Sequence, residues 1–200
     1  MIEEIASRRS IRRYKQDEIP LEDIRKIIHA GCLAPSGKNR QPWKFLVYGK
    51  DAKKQLLERM EEGIQREING PSLLPDSRYG LPDARNTLRI MREAPALAVV
   101  MNPYGKSPFR SITADERVTE IVDSLSIGAA IQNMLLEAQR LGIGTLWIAN
   151  TCFAYPELTE FIKEPGQLVG AVAMGYADEA PGQRPRKRLD EIMEYRYSGI

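Results

Sequence analysis

Apolar residues along this chain recur at helical spacing in long stretches, and shorter, more continuous apolar runs lie between them. Residues 2–9 predict a short first helix, followed by an extended basic stretch over residues 10–15. Pro20, Glu22 and Asp23 supply the proline and acids of a helical first turn. Ile24, Ile27, Ile28 and Leu33 continue that helix to about Ala34, and Pro35 and Gly37 break it. Residues 43–48 read as a strand. Asp51 is placed to cap a long helix whose stripe is Leu56, Leu57, Met60, Ile64 and Ile68. Residues 69–82, with three prolines and two glycines, predict a mobile loop.

A helix from about Asp83 leads to a strand over residues 96–101. A second loop, residues 102–111, precedes the longest helix, residues 114–141, which is apolar on more than one side. Such a helix is buried in a core or in a subunit interface. Residues 145–149 form a third strand, 155–163 a short helix, and 168–176 a fourth strand whose near-continuous apolar run predicts a central position. Residues 177–200 read as an extended tail with a helical turn near residues 189–195 and too few core residues to fold alone. The alternation of helices and strands predicts a sheet covered by helices on both faces.

Composition narrows the function classes. The 200 residues suffice for one domain with a real core, and the apolar and charged fractions are ordinary for a globular chain. A net charge of +2 gives no general nucleic-acid coat. Cys32 and Cys152 are far apart, and His29 is the only histidine, so neither a disulfide framework nor a metal site is expected. Residues 1–10 lack the apolar core of a secretory signal, and no apolar run reaches the roughly 20 residues of a membrane span. A cytoplasmic protein is expected.

Four segments carry candidate chemistry. Arg8, Arg9, Ser10, Arg12 and Arg13 precede Tyr14; if extended, the segment puts Ser10, Arg12 and Tyr14 on one face. Arginine forks and a serine hydroxyl suit a phosphate dianion; the plain alternative is a solvated charged face. Residues 34–43 crowd Pro35, Ser36, Asn39 and Gln41 into a turn before Trp43. It can offer hydrogen bonds to a planar heterocycle, or be an ordinary turn. Gly142 and Gly144 lead into the third strand without a dinucleotide fingerprint or a P-loop. Backbone N–H groups at Ala149 and Asn150, just past that strand, are free to face a ligand, although a plain strand end is the commoner case. Arg184, Arg186 and Arg188 alternate onto one side of an extended tail, or form a solvated basic end.

With these motifs in this order, the whole chain resembles the nitroreductase family of flavin enzymes. The resemblance rests on the run from Arg8 to Arg12, on Pro35 and Ser36 followed by Asn39, Gln41, Pro42 and Trp43, on the glycine-bounded third strand, and on Pro185, Arg186 and Lys187. It implies an α/β (α+β) three-layer sandwich with a central mixed sheet of four to five strands and an extended C-terminal arm. Residues 1–200 would form one FMN-binding domain. It further implies a homodimer with FMN sites at the interface. Arg8, Arg9, Ser10 and Arg12 would come from one subunit, with Arg186 or Arg188 closing on the phosphate. Pro35, Ser36 and Asn39 would come from the other subunit and touch the ring, and Ala149 or Asn150 N–H would approach N5. Arg12 is implied near N1 and O2, where a cation raises the flavin potential.

The resemblance places the chemistry on the flavin, so no catalytic triad is required. NADH or NADPH would serve as donor and a small nitroaromatic or quinone as acceptor, each using the same ring face in a ping-pong scheme. Asn86 and Arg89 are loose candidates for a further polar contact over the ring. Dehalogenation, flavin cleavage and dehydrogenation also occur in the family. The rivals from other classes are a flavin carrier or sensor with little turnover, and a nucleic-acid module. Neither nucleic acid nor membrane is an expected partner. The two loops, with Tyr79 and Phe109 as candidate lids, are assigned to acceptor choice.

Overall fold

The computed structural model describes residues 1–197; the last three residues of the expected tail, 198–200, lie outside it. The chain opens with α1 (Glu3–Ser7) and α2 (Leu21–Cys32). Strand β1 (Lys44–Gly49) is followed by two helices, α3 (Lys50–Asn69) and α4 (Leu81–Glu93), and then by β2 (Ala96–Asn102). The long α5 (Ala114–Arg140) leads to β3 (Gly144–Ile148), and α6 (Tyr155–Ile162) to β4 (Gln167–Gly175).

The strands form one sheet in the order β1-β2-β4-β3, with β4 central as expected. Strand β2 alternates strictly between two cores. Leu97, Val99 and Met101 face α3, α4 and α6, while Ala96, Ala98 and Val100 face α2 and α5. All seven residues of β2 are buried because helices cover both faces. The result is the expected three-layer α+β sandwich. Its sheet, expected to be mixed, is instead antiparallel in every ladder of the described strands. Two successive helices, α3 and α4, return the chain so that β2 runs opposite to β1, and β4, placed between β2 and β3, runs opposite to both. A single parallel bridge, Ser10 to Thr145, lies outside the named strands at the free edge of β3.

Local signals set most element ends. Thr113 caps α5 with a reciprocal box, its hydroxyl accepting from Glu116 N–H and the Glu116 carboxylate accepting from Thr113 N–H. Asp51 is not the cap of α3; Gly49 holds that position and Asp51 lies inside the first turn, where its charge opposes the helix dipole's positive end. The segment expected to be a mobile loop contains a short 3₁₀ turn, Pro75–Gly80. Its entry is pinned by Glu67, a fully buried carboxylate on the apolar stripe of α3. Glu67 accepts from Ser72 Oγ at 2.5 Å, Leu73 N–H at 2.9 Å, Leu74 N–H at 3.3 Å, and the Arg66 guanidinium.

Candidate functional site

The basic N-terminal segment is strapped along the free edge of β3. Ile11 N–H donates to Thr145 O at 2.9 Å, Lys15 N–H to Tyr176 O at 2.9 Å, and Asp178 N–H to Arg13 O at 3.0 Å. The strap lies close because glycines stand beneath it. A Cβ at Gly144 would come within 2.8 Å of the Ile11 side chain, and one at Gly175 within 2.7 Å of the Tyr14 ring. Ile11 and Tyr14 are therefore both buried, and the Tyr14 hydroxyl donates back to Ile11 O at 2.9 Å. Burial pushes the Tyr14 phenol well up, with Glu179 adding and Arg12 opposing. The strict alternation that would group Tyr14 with Ser10 and Arg12 does not hold: Tyr14 turns into the core and the other two stay outside.

Anchored this way, Arg8, Arg9, Ser10 and Arg12 line one wall of a cavity of about 150 Å³, and Gln183, Arg184 and Arg186 of the tail line the other. None of its described lining residues is acidic. Arg9 donates to Ala6 O at 2.8 Å and Arg8 O at 2.9 Å, and Arg12 donates to Ser10 O at 3.1 Å, so both guanidiniums are oriented by main chain. Glu179 accepts from the Arg12 backbone N–H. Burial foremost, then the neighbouring Arg186 and Arg9, push the Arg8 pKa down. Such a donor set fits a phosphate dianion.

Arg188 does not line this cavity; it faces Asp190 at 3.0 Å and Glu191 at 3.3 Å. Arg184 is there in its place. The tail does not keep strand alternation between residues 184 and 188, because no ladder holds it flat.

The second predicted segment forms a separate shelf against α5. Pro35 and Asn39 are exposed and Ser36 is half-buried. Lys38, Asn39 and Gln41 take left-handed φ values of 52°, 54° and 49°. Three anchors hold them: Gly37 N–H donates to Ser126 Oγ at 3.2 Å, Gln41 N–H to Ser36 Oγ at 3.0 Å, and Arg40 grips Asp123 with Nε at 3.1 Å and Nη2 at 3.2 Å. Gly37 packs closely on α5: a Cβ there would lie 2.4 Å from Val122 Cγ1, so the valine or the shelf would have to shift. At the end of β3, Ala149 is exposed and Asn150 is fixed by donating to Thr87 Oγ1 at 3.0 Å. None of Pro35, Ser36, Asn39, Ala149 and Asn150 lines the arginine cavity of its own chain.

The buried carboxylates Asp123 and Glu67 are absent from the sequence-based site. Each occupies a position of its helix's buried stripe, Asp123 beside Ser126 and Ile127, and Glu67 beyond Met60 and Ile64. A charge on an apolar stripe is the signal that could have found them. On the opposite side of α5, Val118, Ile121 and Leu125 are exposed, Leu125 at 71%. Among the described residues, no helix is long and apolar enough to cross a membrane.

Comparison with known proteins agrees with this architecture. The profile of the nitroreductase family matches residues 5–176, and the chain belongs to that family. An Archaeoglobus fulgidus protein, provisionally named an NADH dehydrogenase/NAD(P)H nitroreductase, is 31% identical over 86% of this chain and 82% of its own length. The iodotyrosine deiodinase of Thermotoga neapolitana is 26% identical over 91% of each chain. A Desulfovibrio desulfuricans protein, provisionally assigned as a nitroreductase and solved in complex with FMN, superposes with a TM-score of 0.70 at 28% identity, covering 98% of this chain and 96% of that one.

Proposed function

We propose that this protein is an FMN-dependent oxidoreductase that passes two electrons from NADH or NADPH to a small acceptor such as a nitroaromatic or quinone. The observation that carries this reading is the arginine cavity, together with family membership. Arg8, Arg9, Arg12 and Arg186 supply charged donors and Ser10 a hydroxyl, in a pocket whose described lining holds no carboxylate. A phosphate monoester dianion answers that set, and the related FMN complex supports FMN as its bearer.

FMN, when bound, supplies a carrier that takes a hydride from a nicotinamide and yields two electrons to an acceptor. The chain's own part is to hold, orient and shield. The strap fixes the arginines before the ligand arrives, so little ordering cost remains at binding. Pro35, Ser36 and Asn39 lie on the shelf anchored by Ser126 and Asp123, and we assign them to the ring of a second copy's cofactor. Ala149 and Asn150 follow edge strand β3, and in this reading the backbone N–H of one of them approaches the flavin N5. We assign the exposed α5 stripe to the interface of a homodimer that joins the two half-sites, and residues 1–200 to one domain. Free cysteines at Cys32 and Cys152 fit a cytoplasmic setting.

The test is to denature the purified protein, chromatograph the released chromophore, and follow NADH and NADPH oxidation with and without an acceptor. FAD, or no flavin after reconstitution, would overturn the reading; bound FMN without donor oxidation would leave a carrier. The resemblance to a deiodinase over 91% of both chains favours one second reading, reductive dehalogenation, which iodide release from an iodinated phenol would detect.

A further inference from the structure

The pair formed by Arg40 and Asp123 does more than close a gap in the fold. Asp123 is a carboxylate whose side chain is 3% exposed, and Arg40 meets it with two nitrogens. Burying such a charge is costly unless it is matched by a well-formed partner. Arg40 itself has ordinary right-handed torsions, while Lys38, Asn39 and Gln41 around it are left-handed. Non-glycine residues hold such torsions only where their surroundings over-determine them. Among the anchors of this shelf, the ion pair is the charged one.

The same carboxylate also reaches the other loop. Asn102 Nδ2 lies 3.5 Å from Asp123 Oδ2, and Asn102 Oδ1 accepts from Tyr104 N–H at 3.0 Å. The Arg40 guanidinium stacks over the Tyr104 ring at 4.9 Å, a cation–π contact. One buried charge therefore ties the shelf bearing Ser36 and Asn39 to the loop after β2, while the arginine cavity lies elsewhere.

We infer that Arg40 and Asp123 are a positioning pair that shapes the Ser36–Asn39 shelf and locks it to the Tyr104 loop, so that they govern the hold on the flavin ring and the acceptor but not on the phosphate. This inference rests on the FMN reading above. Lysine cannot reproduce the two-pronged grip, because it is a point charge and not a planar fork.

The test compares riboflavin, which has the ring without the phosphate, with FMN. Asp123→Asn and Arg40→Gln in the full chain should weaken both by the same factor, about tenfold, as expected for a lost charged hydrogen bond. Arg40→Lys should fall between those variants and the parent. Acceptor KM should rise severalfold while kcat stays within about threefold, the pattern of lost binding without lost chemistry. In the apoprotein, hydrogen exchange of the peptide over residues 36–43 should speed up. Arg40 is only partly buried, so its two variants decide the matter if Asp123→Asn fails to fold. Loss of FMN affinity with riboflavin unchanged, or unchanged exchange with both affinities intact, would overturn the inference. If the parent binds neither flavin, the functional reading falls, and the exchange result alone then upholds or overturns the role of the pair in shaping the shelf.

Discussion

Gly144 of β3 lies directly opposite Gly175 of β4, and the two bare backbones form the bed on which Ile11 and Tyr14 rest. The position of the arginine wall follows from this pair, because Ile11 directly follows Arg8, Arg9 and Ser10 and, with Tyr14, brackets Arg12. Gly144→Ala should push the strap outward: its Cβ would sit 2.8 Å from Ile11 Cγ1 and 3.1 Å from Ile11 Cβ. Overpacking of this kind costs roughly 1–3 kcal/mol. The expected outcome is a lower melting temperature and an FMN affinity reduced about tenfold or more, since the displaced segment carries the donors. Calorimetry and a fluorescence titration on the same sample check both, and an unshifted FMN affinity would separate the strap from the site.

The second prediction divides the tail arginines. Arg186→Ala should weaken FMN by about ten- to a hundredfold, the effect of losing a hydrogen bond to a charged group, roughly 1.5–3 kcal/mol. Arg188→Ala should leave FMN affinity nearly unchanged, since Arg188 is held by Asp190 and Glu191 away from the cavity. Arg184→Ala should resemble Arg186→Ala, because Arg184 lines the same wall. Equilibrium titration of the three apo variants reads the order directly.

Much of this was legible in the sequence, and the parts that were not share a cause. The limits of α5 show in Thr113, Glu116 and the apolar spacing that ends near Gly142, because capping and periodicity are local. The two-faced burial of β2 and the central place of β4 show in their unbroken apolar runs. Strand direction did not, because it depends on how each connection returns the chain and on which strands end up as neighbours: one helix, α6, joins antiparallel β3 and β4, while two join antiparallel β1 and β2. Tyr14 was assigned to the wrong side because alternation assumes a flat strand, whereas Gly144 and Gly175 draw Ile11 and Tyr14 inward together. The structure gathers Arg8, Arg9, Ser10 and Arg12 around one cavity, and of the two tail candidates, Arg186 and Arg188, it brings Arg186 there, a choice that depends on tail contacts remote from the N-terminal segment. Asp123 with Arg40 is likewise a pairing across 83 residues, invisible until both ends are in place.

The third prediction concerns acid. Burial alone would push the Glu67 carboxyl up, but hydrogen bonds from Ser72, Leu73 N–H, Arg66 and Leu74 N–H outweigh it and hold the pKa below its ordinary 4.5. The folded state then binds fewer protons than the unfolded state between the two values. Stability from this group is complete above about pH 4.5 and is lost as pH falls through the lowered folded value. Glu67→Gln should destabilise the protein at neutral pH by about 1–3 kcal/mol, because two backbone donors and a guanidinium lose a charged acceptor. It should also flatten the acid limb of the stability curve. Urea melts from pH 3 to pH 7 on parent and variant test this; parallel curves would show that Glu67 titrates alike in both states.

The last prediction joins the two half-sites. The shelf and the arginine cavity do not meet within one chain, and α5, whose one side anchors the shelf through Asp123 and Ser126, carries exposed Val118, Ile121 and Leu125 on the opposite side. An apolar stripe of that extent is a surface made to be covered. The proposed homodimer would cover it with a second copy, and obligate interfaces of this kind bury more than about 2,000 Å² in total. Light scattering should therefore give twice the chain mass. Replacing Ile121 and Leu125 together with Glu puts two charges into that interface without touching an arginine of the cavity or a residue of the shelf. The double variant should run as a single chain, keep its far-UV spectrum, and lose FMN by at least about a hundredfold, because each site then lacks its ring-contacting half. A monomeric variant that still binds FMN like the parent would show that one chain holds the whole site, and the assignment of Pro35, Ser36 and Asn39 to the partner's flavin would fall.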